Sequence, residues 1–196
     1  MSRTKKLSLI LLSTALAFAF VTLSGRAEAQ GRPAILKPSS RPMWFSGGVG
    51  PAWYGLRGRG TFGRRGRFKV GMDWGYHFSG KGEGPAIGVS LEQTFADRLF
   101  SLNPAAKFLW DIEIKDMAVY IAPFAKAGYW FGDCDRGCRT SHAFNIGVGV
   151  EGRVVLWDRL LLFLRPVQVD ALVGDLPDTD NFWINYSILV GAGVTF

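Results

Sequence analysis

The sequence predicts an all-β protein, a single up-and-down antiparallel transmembrane β-barrel of about eight strands, and three observations predict it. From Trp44 to the C-terminus, apolar residues alternate with small or polar ones at a period of two, the side-chain period of a strand. This region has no unbroken apolar run of the roughly 20 residues that a spanning helix needs. The face opposite the apolar one is rich in glycine and in charges of both signs, unlike the Lys-, Glu-, Thr- and Ser-rich face of a soluble sheet.

Residues 1–29 read as a cleavable signal peptide. Arg3, Lys5 and Lys6 form a positive start, Leu7 to Leu23 an apolar run, and Ala27-Glu28-Ala29 a small-x-small cleavage site. Cleavage after Ala29 removes Arg3, Lys5, Lys6, Arg26 and Glu28, so the net charge falls from +7 to +4. Much of the basic balance is therefore targeting, and nucleic-acid binding is not indicated. Residues 30–42, with three prolines and no periodicity, are expected to form a flexible periplasmic lead-in to a barrel over residues 43–196.

The clearest strand is Arg67 to Phe78. Phe68, Val70, Met72, Trp74, Tyr76 and Phe78 share one parity, and Lys69, Gly71, Asp73, Gly75 and His77 the other. The pattern returns around Ile87–Phe95, Phe108–Ile114, Val119–Phe131, Phe144–Val154 and Ile184–Phe196. Phe45, Val49 and Trp53 mark a glycine-rich opening strand. Leu160 to Val173 completes the eight, with Pro166 marking a bulge that resets its register.

Short connections are expected at Ser79–Gly84, Lys115–Asp116 and Trp157–Arg159, and long ones at Gly55–Gly66, Ala96–Pro104, Gly132–Ser141 and Gly174–Asn181. Short periplasmic turns and longer outer loops are the asymmetry of outer-membrane barrels. Aromatics near strand ends, among them Tyr76, Phe78, Phe95, Tyr129, Phe131 and Trp157, fit the two interfacial girdles.

The polar face supplies the main candidate site. Lys69, Lys107, Lys126, Arg153 and Arg165 nearly balance Asp73, Glu92, Asp111, Glu113, Glu151 and Asp170 as lumen charges. An eight-stranded interior is just wide enough to be filled by side chains, so a plug of ion pairs is expected in preference to an open pore. Arg57, Arg59, Arg64, Arg65 and Arg67 crowd the first long connection and are candidates for lipopolysaccharide phosphates, which suit a planar guanidinium fork. Cys134 and Cys138, four apart around a glycine, are expected to form a disulfide. They lack the further ligands of a metal site, and no cofactor is expected. Two G-x-G-x-x-G matches, at Gly58–Gly63 and Gly147–Gly152, open no helix and fail as nucleotide motifs.

From Tyr186 to the terminal Phe196, every second residue is apolar, and the chain resembles the small eight-stranded outer-membrane barrels of the OmpA/OmpX type over about Trp44 to Phe196. The resemblance implies an integral, monomeric outer-membrane protein in contact with lipid and lipopolysaccharide. It implies that Phe196 closes an assembly signal read by the barrel-insertion machinery. Members of the family serve as anchors, adhesins, pores and lipid A enzymes, so activity does not follow from fold. The residues point to a non-enzymatic surface barrel presenting four extracellular loops, ahead of a narrow channel for small or hydrophobic solutes. A lipid A-modifying enzyme ranks last. Ser141 and His142 are adjacent on a strand and would face opposite ways, so no catalytic residues are assigned.

Overall fold

The computed structural model describes residue 36 and residues 39–55, 67–96, 99–114, 119–134, 140–176 and 181–196. The signal peptide, Arg57, Arg59, Arg64, Arg65 and Cys138 lie outside the described residues, as does the side chain of Cys134. Eight strands form in order: β1 Met43–Gly55, β2 Arg67–His77, β3 Gly84–Phe95, β4 Leu99–Glu113, β5 Val119–Cys134, β6 Ser141–Leu156, β7 Leu160–Asp175 and β8 Phe182–Thr195. Each pairs antiparallel with the next, and β8 returns to β1, so the sheet closes with no free edge.

The register fixes the shape. Trp44 pairs with Gly75, which leads through Gly88, Lys107, Lys126, Gly147, Asp170 and Asn185 back to β1 at Tyr54, ten residues further on. Eight strands about 4.8 Å apart with that offset tilt by about 40° and enclose a backbone radius of about 8 Å. The steps of β2 from Phe68 to Phe78 then span about 25 Å of height, the thickness of a lipid-facing apolar band.

Alternation carries through every wall. Trp74, Val89, Phe108, Ile121, Val148, Leu164 and Val190 are exposed outside, while the charged and small residues between them are buried inside. Exposed aromatics gather at both rims, with Trp53, Phe68, Phe131 and Phe182 at the loop end, and Tyr76, Phe78, Trp110, Trp157 and Phe196 at the end holding the chain termini of the barrel. Inward glycines make room for large neighbours. A Cβ on Gly149 would lie 2.5 Å from Phe124 Cζ, and one on Gly75 would collide with the Trp44 ring.

The strand ends depart from expectation. The connection expected over Ala96–Pro104 ends early: β4 already begins at Leu99, and Ala96 N–H donates to Leu99 O at 2.9 Å. Ser101 and Asn103 are polar because they face the lumen, and they continue the strand instead of ending it. Pro104 is tolerated within β4 because the β4–β5 register lapses there, between Leu102↔Phe131 and Ala105↔Gly128. Other strands also reach further than expected at the loop end, β5 to Cys134 and β7 to Asp175, with β6 beginning at Ser141.

Pro166 does sit at a bulge. Arg165 pairs with Leu189 but Gln168 with Ser187, so β7 carries one extra residue. Pro166 and Val167 both face outward, and Gln168 and Asp170 regain the inward face.

Candidate functional site: the charged interior and its two covers

The middle of the lumen is a closed ion-pair network. Arg165 is its hub, on β7 just before the bulge. Its Nη2 donates to Asp73 Oδ2 and to Glu151 Oε1, each at 2.6 Å, and its Nη1 reaches Gln168 Oε1 at 2.7 Å and Glu92 Oε1 at 3.2 Å. Lys107 bridges Asp73 at 2.7 Å and Glu151. Lys126 sits 2.7 Å from Glu92 and 3.0 Å from Asp170, and Lys69 contacts the same two carboxylates and Ser187 Oγ. Arg153 joins Glu151 to Asp111, at 3.0 and 2.7 Å.

Ten of the eleven candidate lumen charges are thus brought together, five cationic and five anionic, all buried. Glu113 is half-buried at the terminus end and makes no ion pair to the network among the described residues. Phe124 and Phe163 line the cations: Lys107 Nζ stands 4.5 Å and the Arg165 guanidinium 4.9 Å from the Phe124 ring. Buried pairs of this kind repay their desolvation only when the geometry is good and every partner is present. Here each cation touches at least two acceptors, so the network fills the lumen without stray charge.

Sequence reasoning did not single out Gln168, whose Nε2 ties Glu92 to Asp170 at 2.9 and 2.7 Å. It also passed over His77, whose Nε2 is 2.6 Å from Asp111 Oδ2 and whose Nδ1 is 3.0 Å from Pro42 O. Neutral polar residues on an inward parity carry no separate signal in a sequence.

Apolar clusters cover the network on both sides. At the terminus end Trp44, Leu109, Tyr120, Phe124, Val155 and Leu161 pack together. Residues 39–42, the end of the stretch expected to be flexible, cross this opening. Ser39 N–H donates to Tyr120 Oη at 3.2 Å, and Ser39 O accepts from Gly82 N–H at 3.0 Å. Asp158 accepts from Ser40 N–H and Oγ–H, at 2.7 and 2.9 Å, and pairs with Arg41. Asp158 and Trp157 hold positive φ, 58° and 52°, in a two-residue turn whose twist suits a hairpin. At the loop end the cover is Leu99, Trp130, Ala143, Leu172, Leu176 and Trp183.

Arg67 opens β2 and points into the barrel, buried, which leaves Arg57, Arg59, Arg64 and Arg65 as the surface candidates. Ser141 is buried inside while His142 is exposed outside and stacks on Tyr129 at 6.1 Å, so the two do not form a nucleophile–base pair.

No known family profile matches the chain, and no curated protein matches it in sequence. Solved structures do match in fold. Neisserial surface protein A (NspA) superposes with a TM-score of 0.60 at 14% identity, covering 79% of this chain and 97% of its own. Ail, the attachment invasion locus protein of Yersinia pestis, gives 0.51 at 14% identity, covering 80% and 99%. The N-terminal β-barrel domain of Pseudomonas aeruginosa OprF gives 0.50 at 11% identity, covering 80% and 98%. Closed register, outward apolar wall and these superpositions agree: the chain has the fold of the small eight-stranded bacterial outer-membrane barrels.

Proposed function

We propose that this protein is a non-enzymatic, monomeric outer-membrane barrel that is closed to solutes and acts through its loop end. The observation that carries this reading is the lumen itself. Five cations and five anions neutralise one another across its width, and an apolar cluster covers them on each side. The wall supports membrane insertion, since its exposed apolar band is about 25 Å tall between two aromatic rims. The residue 1–29 signal peptide is the route of export in this reading, and the β8 strand ending in Phe196 is the segment the insertion machinery engages.

The surface contact falls to the first connection, where Arg57, Arg59, Arg64 and Arg65 would meet the phosphates of lipopolysaccharide. Arginine pairs bidentately with phosphate and sulfate alike. A fold-level precedent is the structure of Ail in complex with sucrose octasulfate, a heparin analogue.

Single-channel recording of the refolded mature chain in planar bilayers tests the closed lumen. We expect no discrete conductance steps, and steps in folded, heat-modifiable protein would replace this reading with the narrow channel. Binding to lipopolysaccharide-coated vesicles tests the arginines. Replacing the four by Gln should weaken it at least tenfold at low salt, and unchanged binding would remove the contact.

A further inference from the structure

Between the ion-pair layer and the loop-end cover stand three buried asparagines, Asn103 on β4, Asn145 on β6 and Asn185 on β8. The register puts them at one level. Asn145 pairs through Gly128 with Ala105 of β4, and through Leu172 with Trp183 of β8. Crossing two tilted strands shifts the height by about two and a half residues. The inward position level with Asn145 is therefore one place along each of those strands, at Asn103 and at Asn185.

Most of the polar capacity of this ring is unused by the protein. Among the described residues, Asn145 Oδ1 and Nδ2, Asn103 Oδ1, Asn185 Oδ1 and the neighbouring Trp130 Nε1 have no protein hydrogen-bond partner. Asn145 is fully buried. Five such atoms kept dry would together cost about as much as the whole folding stability of an ordinary domain. The carboxylates and ammoniums beneath it pair among themselves, and Arg67, the other cation buried at this end, has interactions of its own, so nothing here calls for a charged ligand. What completes the ring must donate to three carbonyl oxygens and accept from the Asn145 amide and the Trp130 indole. A hydroxyl group does both.

We propose that the Asn103–Asn145–Asn185 ring is a binding site for small neutral hydroxyl-bearing molecules, water or a small polyol, enclosed between the ion-pair network and the Trp130–Trp183 cover. Bridging hydroxyls of this kind recover nearly the enthalpy of direct hydrogen bonds, and a buried water ordinarily makes about three. The site divides the lumen into an ionic half and a hydrated half.

The test is a crystal structure of the mature chain in detergent, grown without polyols, at a resolution that shows waters. Density is expected within hydrogen-bond distance of the Asn145 amide and of Asn103 or Asn185. Amides turned onto protein partners, with no density between them, would overturn the proposal. A second crystal soaked in glycerol separates the sources: replaced density assigns a polyol, and unchanged density assigns water. In nanodiscs, water-oxygen magnetic relaxation dispersion counts long-lived waters. Asn145→Leu, with its heat-modifiable migration intact, should lose at least one relative to the parent chain. An equal count in that folded variant would also defeat the proposal.

Discussion

Arg165 and Glu151, cross-strand neighbours on β7 and β6, are joined by two hydrogen bonds, from Nη2 at 2.6 Å and from Nε at 3.0 Å onto the same Oε1. They stand one step beyond the Gly152↔Leu164 pair, in the register that starts at the β6–β7 turn, and just before the extra residue of β7. The hub of the plug therefore rests on the regular part of the wall, and the bulge beyond it keeps Gln168 and Asp170 inward beside it.

Removing that hub strands three acids. Arg165→Met leaves Asp73, Glu92 and Glu151 short of a partner in a buried site, and should destabilise the barrel by about 3–5 kcal/mol. Adding Glu151→Gln should recover part of the loss, because it removes one of the uncompensated charges. Urea unfolding in detergent micelles, followed by tryptophan fluorescence, measures both. Equal stability of Arg165→Met and the parent would mean the network does not hold the interior together.

Deleting Val167 takes out the bulge. Strict alternation then runs through β7, with Pro166 outward and Gln168 and Asp170 still inward, so the compact, heat-modifiable band on gels should be retained. Inserting an alanine between Gln168 and Val169 instead turns Asp170 toward lipid and Val169 inward, and should abolish that band. A folded insertion variant would show that the faces of β7 are not fixed by its pattern.

Lipid exposure of the outer wall is tested at Val148, exposed at mid-height on β6. Val148→Arg should cost about 2–4 kcal/mol for folding into vesicles, the penalty for a cation at mid-bilayer. A change below about 0.5 kcal/mol would place that face in water.

The segment that crosses the terminus end hangs on Asp158. Asp158→Ala removes the acceptor of Ser40 N–H and Oγ–H and the partner of Arg41. These groups are partly exposed, so the global loss should stay within about 1 kcal/mol. Locally the effect should be large, with hydrogen exchange at Ser40 N–H, and at Gly82 N–H which donates to Ser39 O, speeding at least tenfold. Unchanged protection would show that other contacts hold the segment.

Strand count, inward and outward faces and the bulge at Pro166 were legible because each rests on parity, which a sequence displays directly. The ten network charges were legible as a set for the same reason. Their pairing was not. Lys69 meets Asp170 and Lys126 meets Glu92 only through the ten-residue offset at which the sheet closes, and no single strand encodes that offset. The early start of β4 at Leu99 was hidden because Ser101, Asn103 and Pro104 look like loop residues until a polar interior gives the first two a place. The Ser39–Pro42 crossing was hidden because it has no period, and its anchors Tyr120 and Asp158 lie far along the chain.

The even balance of the plug bears on how this protein would behave under voltage. A potential across a membrane does work only on net charge that moves, about 2.3 kcal/mol per elementary charge per 100 mV. With five positive and five negative groups locked to one another, the field pulls equally both ways on the network, which offers it no net charge to displace. Drawing this plug aside electrically would first require breaking its symmetry of sign, as a single neutralising substitution does.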